Sequence, residues 1–360
     1  MVTALFVMLL GFVVTYFFTE AVNYSFIGAG VALVYAMIPK QIGALSATGF
    51  DLTALNAQIG AFYRRYDKEI WKAITRGITF EKYMRGVPNV TDEYVSPHSS
   101  HTEFLQPYQS GFQEKGSVSF DARKNKVFHI KMDFLLQDIY DIYRSYLSFL
   151  SDESKDIKDW PFVKYIVYEH IIPGIIEEIS ILSVKGAYVA PTPGTAGTSI
   201  SSADGVLTIV ANEISGMNLN PIVTGAITQA NVIDAFNDYY DGMHDDYKGM
   251  PGEVFMAPSV KLMYERAQLE TYGATQTYKG PQNETFIFGT RKKLVEIPEF
   301  EGSQRLLHTP KKNLLKLYNK INVPNSVEIQ KENRDLKFLL DFHRGYGFGN
   351  LYEVFTNDQA

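Results

Sequence analysis

The 360-residue chain has no cysteine, which excludes a disulfide framework, a thiol nucleophile and any cysteine-ligated metal site. It also lacks a basic excess. Lys+Arg number 34 against Asp+Glu 40, a net charge of -6, so it does not read as a dedicated nucleic-acid binder with a strongly basic domain. Before Lys40 there is a single charged residue, Glu20, and no Lys or Arg precedes the first apolar run as a secretory signal would require. No internal repeat of fixed period is visible.

What is present is apolar and aromatic. The chain is 46% hydrophobic and 21% charged, enough for a sizeable core and too little polarity for general disorder. Its aromatics are 23 Tyr and 24 Phe against 2 Trp, a balance that suits cores and also partly wet contact surfaces. At this length two or three structural units are expected. Residues 3–18 and 23–38 form two apolar runs, each a little shorter than the ~20 residues of a membrane span. Three readings stay open for residues 1–40: a membrane hairpin, a removable pro-segment, or an extension unrelated to the mature fold.

Further along, Leu55, Ile59, Phe62, Tyr63, Tyr66, Ile70 and Ile74 fall at helical spacing, with Arg64, Arg65, Lys68 and Lys72 mostly on the other side. Residues 79–113 show no clear period and contain Pro88, Pro97 and Pro107, an extended arm. The stretch Gly116–Phe134 alternates apolar and polar residues on both sides of a polar, basic segment, Asp121–Lys126. That pattern predicts a β-hairpin with Asp121–Lys126 at its tip. Such a ribbon is marginal alone and needs a surface to lie on. Leu135 to Leu150 then predicts an amphipathic helix. A second, through Val163, Ile166, Val167 and His170, meets Pro173-Gly174, where it must break or kink. A spine follows through Ile175, Ile176, Ile179 and Leu182 to Lys185, with Gly186 as a left-handed cap. Ala190–Gly205 reads as a mobile loop. Val206–Ala211, Glu253–Ala257, Thr285–Phe288, Leu294–Ile297, Leu336–Leu340 and Leu351–Phe355 read as strands. Helices are expected through Val232–Tyr239 and from Ser259 onward, a mixed α+β chain with separate layers.

Candidate chemistry is sparse. Asp238, Asp241, His244, Asp245 and Asp246 form the densest acidic cluster, but Gly242 interrupts it and solvated acidic surface is the commoner explanation. His98 and His101 lack a further ligand nearby, so no metal site is expected. Gly345-Tyr346-Gly347-Phe348-Gly349 lacks the following helix of a phosphate-binding loop and reads as a turn between the last two strands. No cofactor and no catalytic residue is expected; the chain does not read as an enzyme.

The order of elements carries a resemblance. Phe104-Leu105-Gln106-Pro107 leads to Gly111-Phe112-Gln113-Glu114-Lys115-Gly116 and the basic segment, then comes the spine ending Ile179–Gly186. Glu253–Ser259 before a helix, Phe286-Ile287-Phe288-Gly289, Leu294–Pro298 and a terminal strand pair follow. Over roughly residues 50 to 360 this resembles the major capsid proteins of tailed bacteriophages, with the Hong Kong 97-type fold. The resemblance implies a division into an N-terminal arm (41–95), an extended loop hairpin (96–134), a peripheral domain with the spine helix (135–218), an axial domain (219–325) and return strands to the peripheral domain (326–360). It implies self-assembly through pentamers and hexamers into an icosahedral shell around double-stranded DNA, assembled in the bacterial host cytoplasm. Portal, scaffold or decoration proteins are further expected partners. On that reading Phe120, Arg123, Lys124, Lys126 and Phe128 are the expected inter-subunit contacts, and Lys124 and Lys126 sit where a cross-linking lysine could sit. Two alternatives remain, an encapsulin-like compartment and a membrane-anchored α+β protein using residues 1–39.

Overall fold

The computed structural model describes residues 73–74, 77–137, 139–152, 162–273, 284–319, 327–332 and 335–359. The two apolar runs before Lys40 and the basic helix face of Arg64–Lys72 lie outside the described residues. Among the described residues, no helix is long and apolar enough to cross a membrane.

In chain order, a 3-10 turn at Phe80–Tyr83 precedes strands β1 (Arg85–Pro88), β2 (Glu93–His101), β3 (Val118–Lys126) and β4 (Phe128–Leu136). Helices α1 (Ile139–Asp152), α2 (Phe162–Tyr165) and α3 (Ile172–Lys185) follow, with a π-helical segment, Ile166–Ile171, joining the last two. Then come α4 (Val206–Ser215), α5 (Val232–Asp241), α6 (Asp245–Lys248), β5 (Gly252–Met256) and α7 (Pro258–Tyr272). The remaining strands are β6 (Lys292–Glu296), β7 (Leu307–His308), β8 (Leu314–Tyr318), β9 (Val327–Glu332), β10 (Asp335–Phe348) and β11 (Phe355–Thr356).

These strands make three sheets. A five-stranded sheet runs β1-β8-β10-β4, with β9 also on β10; a four-stranded sheet runs β11-β7-β5-β6; β2 and β3 form a ribbon of their own. The long β10 joins most of the first sheet, pairing antiparallel with β4, β9 and β8 along its length. After residue 326, β9 and β10 enter the sheet that holds β4, whereas the last strand, β11, pairs with β7 in the other sheet.

The main core gathers Val184 from the spine, Val206 and Val210 from α4, Phe236 and Tyr239 from α5, and Val254, Phe255 and Met256 from β5. Phe80 plugs it from the N-terminal side, meeting Phe255 edge-on at 5.4 Å and Phe300 at 5.7 Å. Val206 and Val210 are both fully buried, four residues apart on one helix face. Val206–Ala211, expected as a strand, is thus the first half of α4: its β-branched content is outweighed by packing at helical spacing.

The spine carries its expected apolar face, with Ile175, Ile179 and Leu182 buried. Pro173 does not end the helix. The backbone widens one turn ahead of it, and the Ile172 N–H reaches Val167 O, a π-type step that absorbs the turn a proline disrupts. Gly186 is not a left-handed cap: its φ is -54°. A side chain there would collide with the Ala203 and Leu182 carbonyls, so closeness of backbone, and not handedness, demands glycine.

Two polar devices tie the layers together. Glu81, 3% exposed, accepts from Lys316 on β8 at 2.9 Å and from the Tyr346 hydroxyl on β10 at 2.9 Å. The Arg344 guanidinium lies 3.5 Å away and adds charge without a well-formed hydrogen bond. In the four-stranded sheet, fully buried Lys292 donates to Tyr247 O at 2.7 Å and to His308 Nε2 at 2.9 Å, while His308 Nδ1 donates to Glu253 O at 2.7 Å. Burial, reinforced by the Lys292 charge, pushes His308 down to about 4; burial pulls Lys292 down to about 8.

Between about pH 6.5 and 4 the unfolded chain binds a proton at His308 that the folded chain refuses, so stability falls as pH falls through that window. Chemical denaturation at pH 6.5 and 5 is expected to show a loss of about 2 kcal/mol from this residue. In His308→Gln, which keeps an acceptor for Lys292, that part of the slope should vanish; an unchanged slope would refute the assignment.

Candidate functional site

The chain from Glu93 to Leu136 builds the candidate contact surface. β2 and β3 run antiparallel, from Glu93 opposite Lys126 to His101 opposite Val118. At about 3.4 Å per residue, nine residues a side make a ribbon roughly 30 Å long. The ladder extends one step further, with Thr102 and Ser117 exchanging hydrogen bonds at 3.0 and 2.7 Å. Beyond it the connecting loop turns at Gly111 (φ 97°) and Gly116 (φ 90°), where positive φ favours glycine.

This overturns the hairpin expected over Gly116–Phe134. β3 does not pair with β4; β4 pairs with β10, in the register His129 opposite His343. Asp121–Lys126 is the inner half of a strand, and the tip is Thr102–Ser117. Polarity had suggested a turn, but the segment contains no Gly or Pro to make one. Its polar groups are satisfied by neighbours instead. Arg123 Nη2 donates to Glu213 at 2.7 Å, Asn125 donates to Phe348 O at 3.1 Å, and Lys124 reaches diagonally to Glu93 at 3.3 Å. Likewise residues 79–113, expected as an arm without regular structure, contain β1 and β2.

The ribbon's root crosses β10 at the glycine cluster. A side chain at Gly345 would strike the Lys126 carbonyl, one at Gly347 would strike the Asn125 amide, and one at Gly349 would come within 3.4 Å of Ser96 Oγ. Gly345-Tyr346-Gly347-Phe348 therefore belongs to a strand and makes no turn between strands; only Gly349 lies past its end. Leu351–Glu353 is a 3-10 turn, so the terminal strand starts only at Phe355.

The five expected contact residues divide. Phe120 is 78% exposed near the distal end of β3. Lys126 and Lys124 are exposed at its inner end. Arg123 faces inward, holding Glu213 on α4. Phe128, already in β4, packs on Tyr188 with ring centres 4.4 Å apart. The residues that sequence reasoning missed are at the tip: Leu105 is 89% exposed, Tyr108 97% and Phe112 91%. Their signal was a cluster of large apolar residues with no period, punctuated by Pro107, Gly111 and Gly116.

Neither a pocket chemistry nor a metal centre emerges from the acidic cluster. Asp245 pairs with Lys248 at 2.8 Å, the His244 ring accepts from the Asp246 N–H, and among the described residues no three acidic or histidine side chains converge.

Burial raises Glu213, but the hydrogen bonds from Arg123 and Asn218 and the Arg123 charge outweigh it and leave the carboxyl below its usual range. A depressed carboxylate contributes stability above its unfolded value and loses it as pH falls through the folded one. Arg123→Ala should flatten the acid limb of a stability–pH curve and loosen the ribbon root, read as faster amide exchange in β3. Gly345→Ala presses against backbone, which cannot swing aside. It is expected to cost about 1–3 kcal/mol in thermal unfolding; a wild-type melting temperature would show that the crossing is looser than described.

No family model and no curated protein matches the chain. Solved structures do. A chain of Gordonia phage Cozz matches with TM-score 0.50 at 9% identity, over 77% of this chain and 84% of that one. A chain of the satellite phage P4 procapsid, which includes the size determination (Sid) protein, matches with TM-score 0.49 at 13% identity, over 81% and 98%. The holo-SrpI encapsulin complex from Synechococcus elongatus PCC 7942 gives TM-score 0.45 at 13% identity, over 79% and 88%. With the TM-score of 0.50 for the first of these likenesses, the chain has the Hong Kong 97-type capsid fold.

Proposed function

We propose that this chain is a major capsid protein that self-assembles, through pentamers and hexamers, into an icosahedral shell enclosing double-stranded DNA. The observation that carries the reading is the ribbon. All residues from Thr102 to Phe120 are exposed, and they include Leu105, Tyr108, Phe112 and Phe120. A solitary protein has no use for so much apolar surface on an extended strap, whereas a subunit buries it against neighbours. Many modest interfaces of this kind sum to a stable closed assembly. The work of the chain is then contact-making, in a virion, with portal, scaffold or decoration proteins as further partners.

Electron microscopy of the purified chain is expected to show closed shells, and shells isolated from cells should hold nuclease-protected DNA. Enclosed protein in place of DNA would assign the chain to an encapsulin-like compartment. A monodisperse monomer at high concentration would end both. The triple substitution Leu105→Ser, Tyr108→Ser, Phe112→Ser should leave circular dichroism and the melting temperature unchanged while abolishing shells, because these side chains touch little within their own subunit.

A further inference from the structure

We propose that His129 and His343 form a site for a divalent transition-metal ion, which ties β4 to β10 where the ribbon leaves the sheet. The proposal goes beyond the shell-forming reading and does not depend on it.

The two histidines sit directly opposite each other in the antiparallel register of β4 and β10. Residues so paired share a face, with Cβ atoms about 4.5–5.5 Å apart. The rings stack almost parallel, 8° apart in plane, with centres 4.5 Å apart. Two nitrogens on one tetrahedral zinc ion, each at about 2.0–2.1 Å, lie roughly 3.4 Å from each other. Small side-chain rotations therefore bring this pair onto a shared ion. The His129 side chain is 58% exposed, so a hydrated ion reaches the pair from that side.

The surroundings favour ligation. Asp341 Oδ1 lies 3.7 Å from His129 Nε2. A carboxylate there draws the ring proton to Nε2 and leaves the Nδ1 lone pair free, the arrangement that orients histidine ligands towards a metal. On the other ring, His343 Nδ1 is buried without a hydrogen-bond partner among the described residues. Phe or Tyr would stack at this pair without leaving a nitrogen orphaned, whereas a bound ion satisfies it. Burial and the adjacent His129 lower His343 from its ordinary value against the pull of Asp341, which keeps its ring neutral as ligation requires. Lys131 stands opposite Asp341, but its amine is held by Asp133 at 2.5 Å. Two imidazoles with water in the remaining positions suit zinc, nickel or copper, while magnesium and calcium prefer oxygen.

Position gives the site its consequence. His343 and Gly345, two residues apart on β10, share the face on which the ribbon root crosses. His129 comes three residues after Lys126, whose carbonyl meets Gly345. An ion held there fastens the strand that leaves the ribbon to the strand beneath it.

Calorimetric titration of the full chain with zinc chloride is expected to show one ion per chain. Zinc in excess should raise the melting temperature by about 2–4 °C. Magnesium chloride at the same concentration should do neither. His129→Asn and His343→Asn should each lose both effects, whereas His101→Asn keeps them. Asp341→Asn, which touches no ion and only orients His129, should bind zinc about 10-fold more weakly. With copper(II), which imidazole holds more tightly, electron paramagnetic resonance should show two coupled nitrogens in the wild type and in Asp341→Asn, and one in each histidine variant. Zinc uptake unchanged in either histidine variant, or a single coupled nitrogen in the wild type, would overturn the bridge. Should the variants fail to fold, carbethoxylation of the wild-type chain decides. Zinc is expected to slow modification of His129 several-fold, and equal rates with and without zinc would refute the site. Shells are scored on the same samples, so failure of the ion site and failure of the capsid reading are separate outcomes.

Discussion

The architecture depends on one close approach, where the ribbon's root passes over β10. Gly345 and Gly347 bring the backbone of Lys126 and the side chain of Asn125 down onto the strand, at a separation no Cβ permits. The same strand binds β4 on one side and β8 on the other, so the crossing joins the ribbon to the five-stranded sheet at its most connected element. Asn125 then satisfies Phe348 O, and Val127, buried, hands the chain from ribbon to sheet through its N–H bond to Asp92 O at 2.7 Å. Backbone packed on backbone over a satisfied polar anchor resists peeling of the ribbon from its base.

Electrostatics serve the same joint. Arg123 and Glu213 lock the ribbon to α4, and Glu81 with Lys316 and Tyr346 locks the N-terminal turn to β8 and β10. Each is partly or wholly withdrawn from water, where removing one partner leaves a buried charge less well compensated. The sheet with Lys292 and His308 is different in kind, a buried cation met by a neutral ring and a carbonyl with no carboxylate in the contact. That arrangement makes one layer sensitive to acid while the ribbon root depends on a carboxylate.

Legibility in the sequence followed the range of the interaction. The spine face Ile175, Ile179, Leu182 and the strand–Pro258–helix unit were visible because their signals lie within one turn or one strand. Gly186 was rightly singled out and wrongly explained, since the demand came from Ala203, seventeen residues on. The valines of α4 looked like a strand because propensity speaks before packing does. For the candidate site, the alternation of β3 and β4 was readable. The tip was not, because its exposed aromatics follow no period.

By itself the sequence determined that no thiol exists, that the spine presents an apolar face, and that a two-faced strand lies near residue 120. These follow from composition and from periods of 2 and 3.6, which are properties of neighbours along the chain. Only the tertiary structure decided which strand pairs with which. Pairing depends on whether Arg123 and Asn125 find Glu213 and Phe348 O, some 90 and 223 residues away, and on room left by glycines in a strand near the far end. The same polar residues that read locally as a turn are, in three dimensions, the root that holds the strap in place.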